Sequence, residues 1–204
     1  MTFNIQHQEK YSRGELLLRT FFGWLYIGIP HGFLLGFVGI WSAILTFIAF
    51  WSILFTGRYP QSFYEFQVKY LRWYTRVYAT MMNFIDGYPA FGTSVPNDEK
   101  VQVEIQYPEK LGRGLVLLKI FFGWLYCAFP HVIIWYFRML ASFFLMFIAW
   151  WIVLFTGNYP ANSHKFNVGT MRWMFRVYLY LYLMTDEYPP FSGKTDDELN
   201  APVS

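Results

Sequence analysis

The stretch LFTGRYP at residues 54–60 returns as LFTGNYP at residues 154–160. At the same offset of 100 positions, about 40 of the first 91 residues are identical without a gap. Two copies of so long a unit are not a solenoid, whose repeats are shorter and more numerous. The sequence therefore indicates a tandem duplication. It divides into a first repeat at 1–91, a linker at 92–100, a second repeat at 101–191 and a disordered acidic tail at 192–204.

Each copy of this stretch closes a long apolar run. The chain has no charged residue from Thr20 to Thr56, and its only one from Ile120 to Thr156 is Arg138. Each run has 37 residues, about twice the roughly 20 that cross a bilayer as a helix. The content of 55% hydrophobic residues also exceeds what soluble domains use. We therefore expect two transmembrane hairpins that turn near residues 36–39 and 136–139. The expected spans are 16–36, 39–56, 116–136 and 139–156.

The Thr-Gly-X-Tyr-Pro motif within the repeated stretch predicts the end of a helix. Gly57 and Gly157 stand where a left-handed cap is expected, and the prolines that follow prevent the helix from continuing. Pro30 and Pro130 instead lie inside the apolar runs. We expect each of these two prolines to kink its helix and to leave a carbonyl one turn upstream without its donor.

Basic residues are frequent in the N-terminal segment and in the connector between the repeats. Since Lys and Arg favour the cytoplasmic side, hairpins that return both segments to that side explain the distribution, and both termini are expected in the cytoplasm. Alternating apolar residues at 3–5 and 103–105 predict short strands that pair with each other. The expected fold class is an all-α integral membrane protein of two tandem repeats, each a short strand, a transmembrane helical hairpin and an amphipathic interfacial helix.

The two expected interfacial helices, at 62–85 and 162–185, carry polar and apolar residues on different faces. Neither is apolar enough to cross a bilayer, so each is expected to lie in the membrane interface. Arginines one turn apart are suited to anionic lipid headgroups, but they are equally suited to pairing with Asp86 and Asp186 or to binding neighbouring carbonyls. The candidates for lipid or partner contact are Arg72, Arg76, Trp73, Arg172, Arg176 and Trp173.

His31 and His131 directly follow the two prolines of the apolar runs. If the repeats are related by a two-fold axis, two membrane histidines facing one another are able to hold a haem iron. The alternative is that each imidazole bonds the carbonyl released by its proline or reaches water near the membrane surface. The sequence therefore leaves haem as a possible cofactor at these two residues.

Gly28, Gly32 and Gly36 recur at spacings of four in the first apolar run, a pattern that allows another helix to approach closely. The second copy has Ala128, Val132 and Tyr136 at these positions. We expect the glycine groove to receive a helix from a different polypeptide. The alternative is an internal contact between the unlike halves of the chain.

Enzyme motifs are absent from the sequence. It has no nucleophile constellation, phosphate-binding loop or zinc-ligand spacing, and its single cysteine, Cys127, lies in an apolar run. The net charge of +3 includes no basic tract of the kind that binds nucleic acid. We therefore expect a non-enzymatic accessory or scaffold subunit of a larger membrane complex, in contact with anionic lipids and another integral membrane protein. The alternatives are a protein that binds lipid or another hydrophobic ligand and, less favoured, haem binding or transport.

The blocks FTGRYP, RWYTRVY and TDEYPPF resemble the repeated unit of a bacterial membrane protein family called domain of unknown function 4389. The resemblance covers both repeats, although the first copy departs from it by reading DGYPAF. It implies a small integral membrane protein of bacteria, often with repeated units. Together with the expected spans, this leads us to expect a multi-pass protein of the bacterial cytoplasmic (inner) membrane. The resemblance implies no particular activity.

Overall fold

Two long helices, one in each repeat, dominate the computed structural model, which describes residues 1–201. The first runs from Arg13 to Thr56 and the second from Arg113 to Thr156. Each is followed by a shorter helix that runs back along it. The elements are β1 (Thr2–Ile5), α1 (Arg13–Gly23), a π-helical turn (Trp24–Gly28), α2 (Ile29–Thr56), α3 (Gln61–Met81), β2 (Val101–Glu104), α4 (Arg113–Gly123), a second π-helical turn (Trp124–Ala128), α5 (Phe129–Thr156), α6 (Ala161–Leu181) and α7 (Asp196–Asn200).

The expected hairpin turns near residues 36–39 and 136–139 do not form, and the prediction of four spans is wrong. Helix α2 is continuous through Gly36 and Gly39, because isolated glycines cost a helix only about 1 kcal/mol each and no proline follows them. Arg138 needs no loop, since its guanidinium donates to the Thr170 hydroxyl at 2.8 Å and to the Phe166 carbonyl at 3.3 Å on α6. The two long helices are each apolar and long enough to span a membrane once.

A π-helical turn accommodates the proline in each long helix. Pro30 lies in the first turn of α2, directly after the π-helical turn at Trp24–Gly28, and the second repeat has the same arrangement. The extra residue of a π-helical turn lets the chain pass a missing backbone donor without ending the helix. The predicted helix ends are confirmed, since Gly57 and Gly157 adopt the left-handed conformation with φ of 74° and 73°.

Helix α3 packs against α2 along its length rather than lying apart from it. Gln67 is bonded to Ser42, and Trp73 is bonded to His31, so the two helices run antiparallel. Residues 67–73 of α3 therefore lie beside residues 31–42, the middle of the first long helix. The predicted amphipathic helix is therefore present, at Gln61–Met81, and the polar side chains of its inner face find partners within the protein. Its expected place in the membrane interface stays a prediction.

The two long helices also run antiparallel to each other. The Arg13 guanidinium donates to the Phe155 carbonyl at 2.9 Å, and the Trp150 indole donates to the Thr20 hydroxyl at 2.8 Å. The beginning of the first long helix therefore lies against the end of the second. This arrangement relates the two repeats by an approximate two-fold axis that is perpendicular to both long helices.

The N-terminal segment of each repeat is bound to the other repeat. The Tyr11 amide donates to the Gly157 carbonyl at 2.9 Å, and the Leu111 amide donates to the Gly57 carbonyl at 2.8 Å. Strands β1 and β2 form the predicted antiparallel pair, with Thr2 opposite Glu104. The left-handed glycines that end the long helices therefore also help to join the repeats, together with the strand pair.

The small sheet lies on α3 and α6, on the opposite side from the long helices. Arg72 of α3 donates to the Val103 carbonyl at 2.9 Å, and Arg172 of α6 donates to the Phe3 carbonyl at 3.0 Å. The resulting layers are the sheet with its loops, then α3 and α6, and then the two long helices. The long helices leave large apolar side chains more than half exposed along their whole length, among them Phe21, Phe33, Phe37, Phe47, Phe55, Phe121, Phe137, Phe143, Phe147 and Phe155.

The predicted disordered tail is corrected for the residues that the structure describes. Helix α7 begins at a capping box formed by Thr195 and Glu198. Asp196 pairs with the amino group of Met1 at 2.6 Å and with Arg176 at 2.5 Å, so both charges hold the helix against the body. The end of the predicted tail, at 202–204, lies outside the described residues.

Candidate functional site

The Pro-His pair of each repeat lies in an aromatic cluster of that repeat. The His31 ring stacks on Phe91 with centroids 3.8 Å apart, and its Nδ1 accepts a hydrogen bond of 3.0 Å from the Trp73 indole. The second repeat repeats this arrangement with His131, Phe191 and Trp173. The clusters explain why Trp73 and Trp173 are only 3% and 2% exposed, so the expected lipid contact of these two tryptophans is corrected.

These clusters do not fit haem ligation. An indole N–H is only a donor, so Nδ1 of each imidazole is an acceptor and the neutral ring carries its proton on Nε2. Iron would require an unprotonated Nε2 with the proton on Nδ1. Each histidine is fully buried among the rings of its own repeat, which does not leave the two imidazoles facing one another. The possible haem site at His31 and His131 is therefore not supported by the geometry.

Each proline leaves one backbone carbonyl of its helix without a donor. In both repeats a tyrosine hydroxyl, and not the histidine imidazole, donates a hydrogen bond to that carbonyl. Pro30 has no N–H for the carbonyl of Tyr26, four residues upstream, and the Tyr88 hydroxyl donates to that oxygen at 3.1 Å. The Tyr188 hydroxyl makes the same bond to the Tyr126 carbonyl at 3.0 Å. This corrects the expectation that the imidazole would take this role.

The four candidate arginines bind the protein's own carbonyls. Arg76 donates to the Gly92 carbonyl at 3.1 Å and to the Val95 carbonyl at 3.3 Å, which holds the linker at 92–100. Arg172 donates to the Gly193 carbonyl at 2.7 Å, and Arg72 and Arg172 also hold the strands. The structure therefore has the second alternative, binding to neighbouring carbonyls, and the expected role of Arg72, Arg76, Arg172 and Arg176 as headgroup clamps is corrected.

The aspartates of the two Asp-X-Tyr-Pro segments pair with basic residues that sequence reasoning missed. Asp86 binds Arg19 at 2.6 Å, and its other oxygen accepts from the Ser12 amide at the start of α1 at 2.6 Å. Asp186 binds Lys119 at 2.7 Å in the same way. The signal was present in the sequence, since positions 19 and 119 are both basic at the repeat offset.

The glycine groove of the first long helix is open. A methyl group built on Gly32 or Gly36 meets no atom within 4 Å, whereas one on Gly28 meets Met81 and the preceding turn. The expected alternative, an internal contact across Gly32 and Gly36, is therefore not what the structure has. Nothing within the described chain covers this part of the helix.

An apolar cavity of about 940 Å³ lies between α3, α5 and α6. Aromatic and methionine side chains form most of its wall, and Ser142, Thr170, Tyr159 and Asn167 are among the residues that bring polar groups to it. Burial raises the pKa of Tyr159 to about 12, so this hydroxyl is neutral at physiological pH. The residues that line the cavity are therefore uncharged.

The two repeats differ at the polar end of this cavity. In the first repeat Gln67 binds the Ser42 hydroxyl at 2.5 Å and the Thr46 hydroxyl at 3.1 Å. The second repeat has the shorter Asn167 and has Met146 in place of threonine. Asn167 donates to the Tyr159 hydroxyl at 3.2 Å, but its carbonyl oxygen is buried without a partner.

A pair of histidines, one from each repeat, lies at the contact between the two repeats. The rings of His7 and His164 are 5.0 Å apart, where the other side of the approximate two-fold axis has Tyr107 and Tyr64 at 5.1 Å. Burial lowers the pKa of His164 to about 4, with the nearby His7 acting in the same direction. His164 is therefore neutral in the folded protein at physiological pH.

Comparison with known proteins agrees with the repeat organisation. A search of curated proteins and a search of solved structures each found no match. The family model described as Domain of unknown function (DUF4389) matches twice, at residues 16–91 and 118–193. Each match covers most of the long helix, the shorter helix and the Asp-X-Tyr-Pro segment of one repeat. The chain therefore belongs to the DUF4389 family, as two tandem copies of that family's unit.

Proposed function

We propose that this protein is a non-enzymatic scaffold or accessory subunit that lies in one leaflet of the bacterial cytoplasmic membrane, with its two long helices along the membrane plane. The observation that carries the proposal is the position of the polar sheet. The sheet and the exposed Glu65 and Lys69 lie beside the middle of the antiparallel long helices, not beyond their ends.

An upright orientation would bring this polar layer to the centre of the bilayer. A charged side chain there costs roughly 2.5–3.5 kcal/mol on insertion scales, and the unpaired edges of a sheet do not occur in contact with lipid chains. With the long helices in the plane of the membrane, the sheet and its charges face water. Their exposed phenylalanines then face the lipid chains.

The length of the long helices supports the same orientation. A charge-free run of 37 residues is about 55 Å long as a helix, against a hydrocarbon core of about 30 Å. Fitting that length across a bilayer would need a tilt of more than 50°, beyond the range of roughly 0–40° seen for spanning helices. A helix in the plane of the membrane has no such limit.

The proposed scaffold role is supported by the apolar surface that the described residues leave uncovered. Most buried polar side chains bind other parts of the chain, while the apolar sides of two long helices remain uncovered. Such a surface, continued by the open backbone at Gly32 and Gly36, suits contact with helices of other membrane proteins. The partner we propose is another integral membrane protein, which contacts this surface through the part of a transmembrane helix that lies in the same leaflet.

Cysteine labelling tests the orientation. Glu9 and Arg58 are exposed residues near opposite ends of the first long helix, so Glu9→Cys and Arg58→Cys are made singly in a Cys127→Ser background. An in-plane helix with a cytoplasmic polar layer shields both from an impermeant thiol reagent in intact cells and exposes both after lysis. Labelling of one but not the other in intact cells would show that the helix crosses the membrane. Ile44→Cys, on the apolar side, serves as the lipid-facing control.

A further inference from the structure

The cavity between α3, α5 and α6 has the properties of a binding site for a small apolar molecule. Its volume of about 940 Å³ lies near the upper end of the range of roughly 300–1,000 Å³ that is common for such sites. Tyr74, Met139, Phe143, Met171 and Met174 are among its lining residues, and none of the lining residues is Asp, Glu, Lys, Arg or His. Flexible thioethers and aromatic rings adapt to chains of irregular shape.

Two polar atoms at the cavity are buried without partners. Asn167 is 3% exposed, and its Oδ1 accepts no hydrogen bond in the described chain. The indole N–H of Trp135, another lining residue, also lacks an acceptor. Buried polar groups are almost always bonded in native proteins, because each unmade bond is costly. Their presence in an apolar cavity indicates a ligand with a polar group.

At the corresponding position of the first repeat, the side-chain amide has hydrogen-bond partners within the protein. There the longer Gln67 reaches Ser42 and Thr46, so its amide has partners, and the Tyr70 hydroxyl fills the space beside Gly39. The second repeat has Asn167, Met146 and Thr170 at the corresponding positions. The unpartnered amide is therefore a specific difference between the copies and not a general property of the unit.

The mouth of the cavity lies on the apolar side of the second long helix. Met139, Phe143 and Phe147 line the cavity and are 48%, 60% and 56% exposed. If this side faces the lipid chains, as the proposed function holds, a ligand would enter directly from the leaflet. A molecule that reaches the cavity this way has to be soluble in the hydrocarbon layer.

We propose that the cavity binds one molecule of an uncharged lipid with a hydroxyl group, and that this hydroxyl donates to Oδ1 of Asn167. The hydroxyl supplies the missing donor, and the chain fills the aromatic and methionine walls. A charged headgroup is disfavoured, because no lining residue offers a counter-charge and a buried ion without one is strongly destabilised. The cavity is thus a site for a lipid alcohol rather than for a phospholipid headgroup.

Photolabelling of the purified full-length chain in detergent tests this site. The probe is hexadecanol bearing a diazirine, and hexadecylamine bearing the same group is the charged control. We expect the alcohol to label α3, α5 and α6 at cavity residues, the amine to label them at least several-fold less, and unlabelled hexadecanol to compete. Labelling spread evenly along the two long helices, or equal labelling by the amine, would overturn the proposal.

The first repeat supplies the variant that closes the site. Asn167→Gln with Met146→Thr recreates the residues of the first repeat, and we expect roughly five- to tenfold weaker labelling, the effect of one lost hydrogen bond. Phe137→Leu, at an exposed residue outside the cavity, is the matched control and should label as wild type. Undiminished labelling of the double variant would contradict the role of Asn167.

A second variant and the use of detergent make each outcome interpretable. If the double variant loses its thermal unfolding transition, the single change Asn167→Gln takes its place with the same expected loss. Because labelling is done in detergent without partners, a wrong membrane orientation or a missing scaffold partner does not affect it. Failure of the ligand site is therefore distinguishable from failure of the proposed function.

Discussion

The Tyr88 hydroxyl donates a 3.1 Å hydrogen bond to the Tyr26 carbonyl, the oxygen that Pro30 cannot serve. The bond joins the Asp-X-Tyr-Pro segment to the π-helical turn of a long helix, where one backbone donor is missing. Because the second repeat makes the same bond between Tyr188 and Tyr126, it explains why the tyrosine and the proline occur together in both copies.

Removing this bond should destabilise the protein more when the proline is present than when it is replaced. We expect Tyr88→Phe to lower the free energy of unfolding by about 1 kcal/mol, the usual net value of such a bond. In a Pro30→Ala background the helix regains a backbone donor, so the same change should cost clearly less. Thermal unfolding of the four proteins of this double-mutant cycle measures the difference. Equal costs in both backgrounds would show that the two residues act independently.

The ion pair between Asp86 and Arg19 should be important for stability. The Arg19 side chain is 2% exposed and that of Asp86 12%, and removing one partner of a buried pair typically costs about 3–5 kcal/mol. We expect Asp86→Asn, and likewise Asp186→Asn opposite Lys119, to lower the unfolding temperature by several degrees. Glu65→Gln, at an exposed residue, is the control and should change it little. An unchanged unfolding temperature for Asp86→Asn would contradict this role.

His164 should make the protein less stable in mild acid. Its pKa is lowered to about 4 by burial, whereas in the unfolded chain it is about 6.5. The unfolded state therefore binds the extra proton first, and stability is lost as the pH falls from about 6.5 to about 4, by up to roughly 3 kcal/mol. We expect His164→Tyr, which uses the residue of the first repeat, to reduce this loss in unfolding measured at pH 7 and pH 5. A loss of the same size in the variant would assign the pH dependence to other groups.

The open glycine groove provides a test of the scaffold role. Since nothing lies within 4 Å of a methyl group at Gly32, Gly32→Leu should leave the unfolding temperature unchanged or raise it, because leucine favours a helix by up to about 1 kcal/mol over glycine. We expect the same change to release a protein that co-purifies in mild detergent at constant ratio. Val132→Leu, at the corresponding position of the second repeat, should retain it. Retention of the partner by Gly32→Leu at wild-type yield would exclude docking at this groove.

Sequence periodicity determined the repeat, its helix ends and the strand pair. Gly57 and Gly157 end the long helices as predicted, because a left-handed cap followed by proline is decided by the local chain. The sequence pattern predicted the wrong number of spans, because the length of each apolar run was divided by the length of helix that crosses a bilayer. It placed a turn near residues 36–39 that the unbroken helix does not have, since nothing local at Gly36 or Gly39 is strong enough to end a helix.

Only the tertiary structure decided which partner each polar side chain takes. Arg72 reaches a strand of the other repeat, Asp86 pairs with Arg19 from 67 positions away in sequence, and Asn167 is left with one unbonded atom. Hydrogen bonds and ion pairs depend on distances of about 3 Å between groups far apart in the chain. Composition and spacing do not give those distances, whereas helix ends and apolar faces follow from residues within one or two turns.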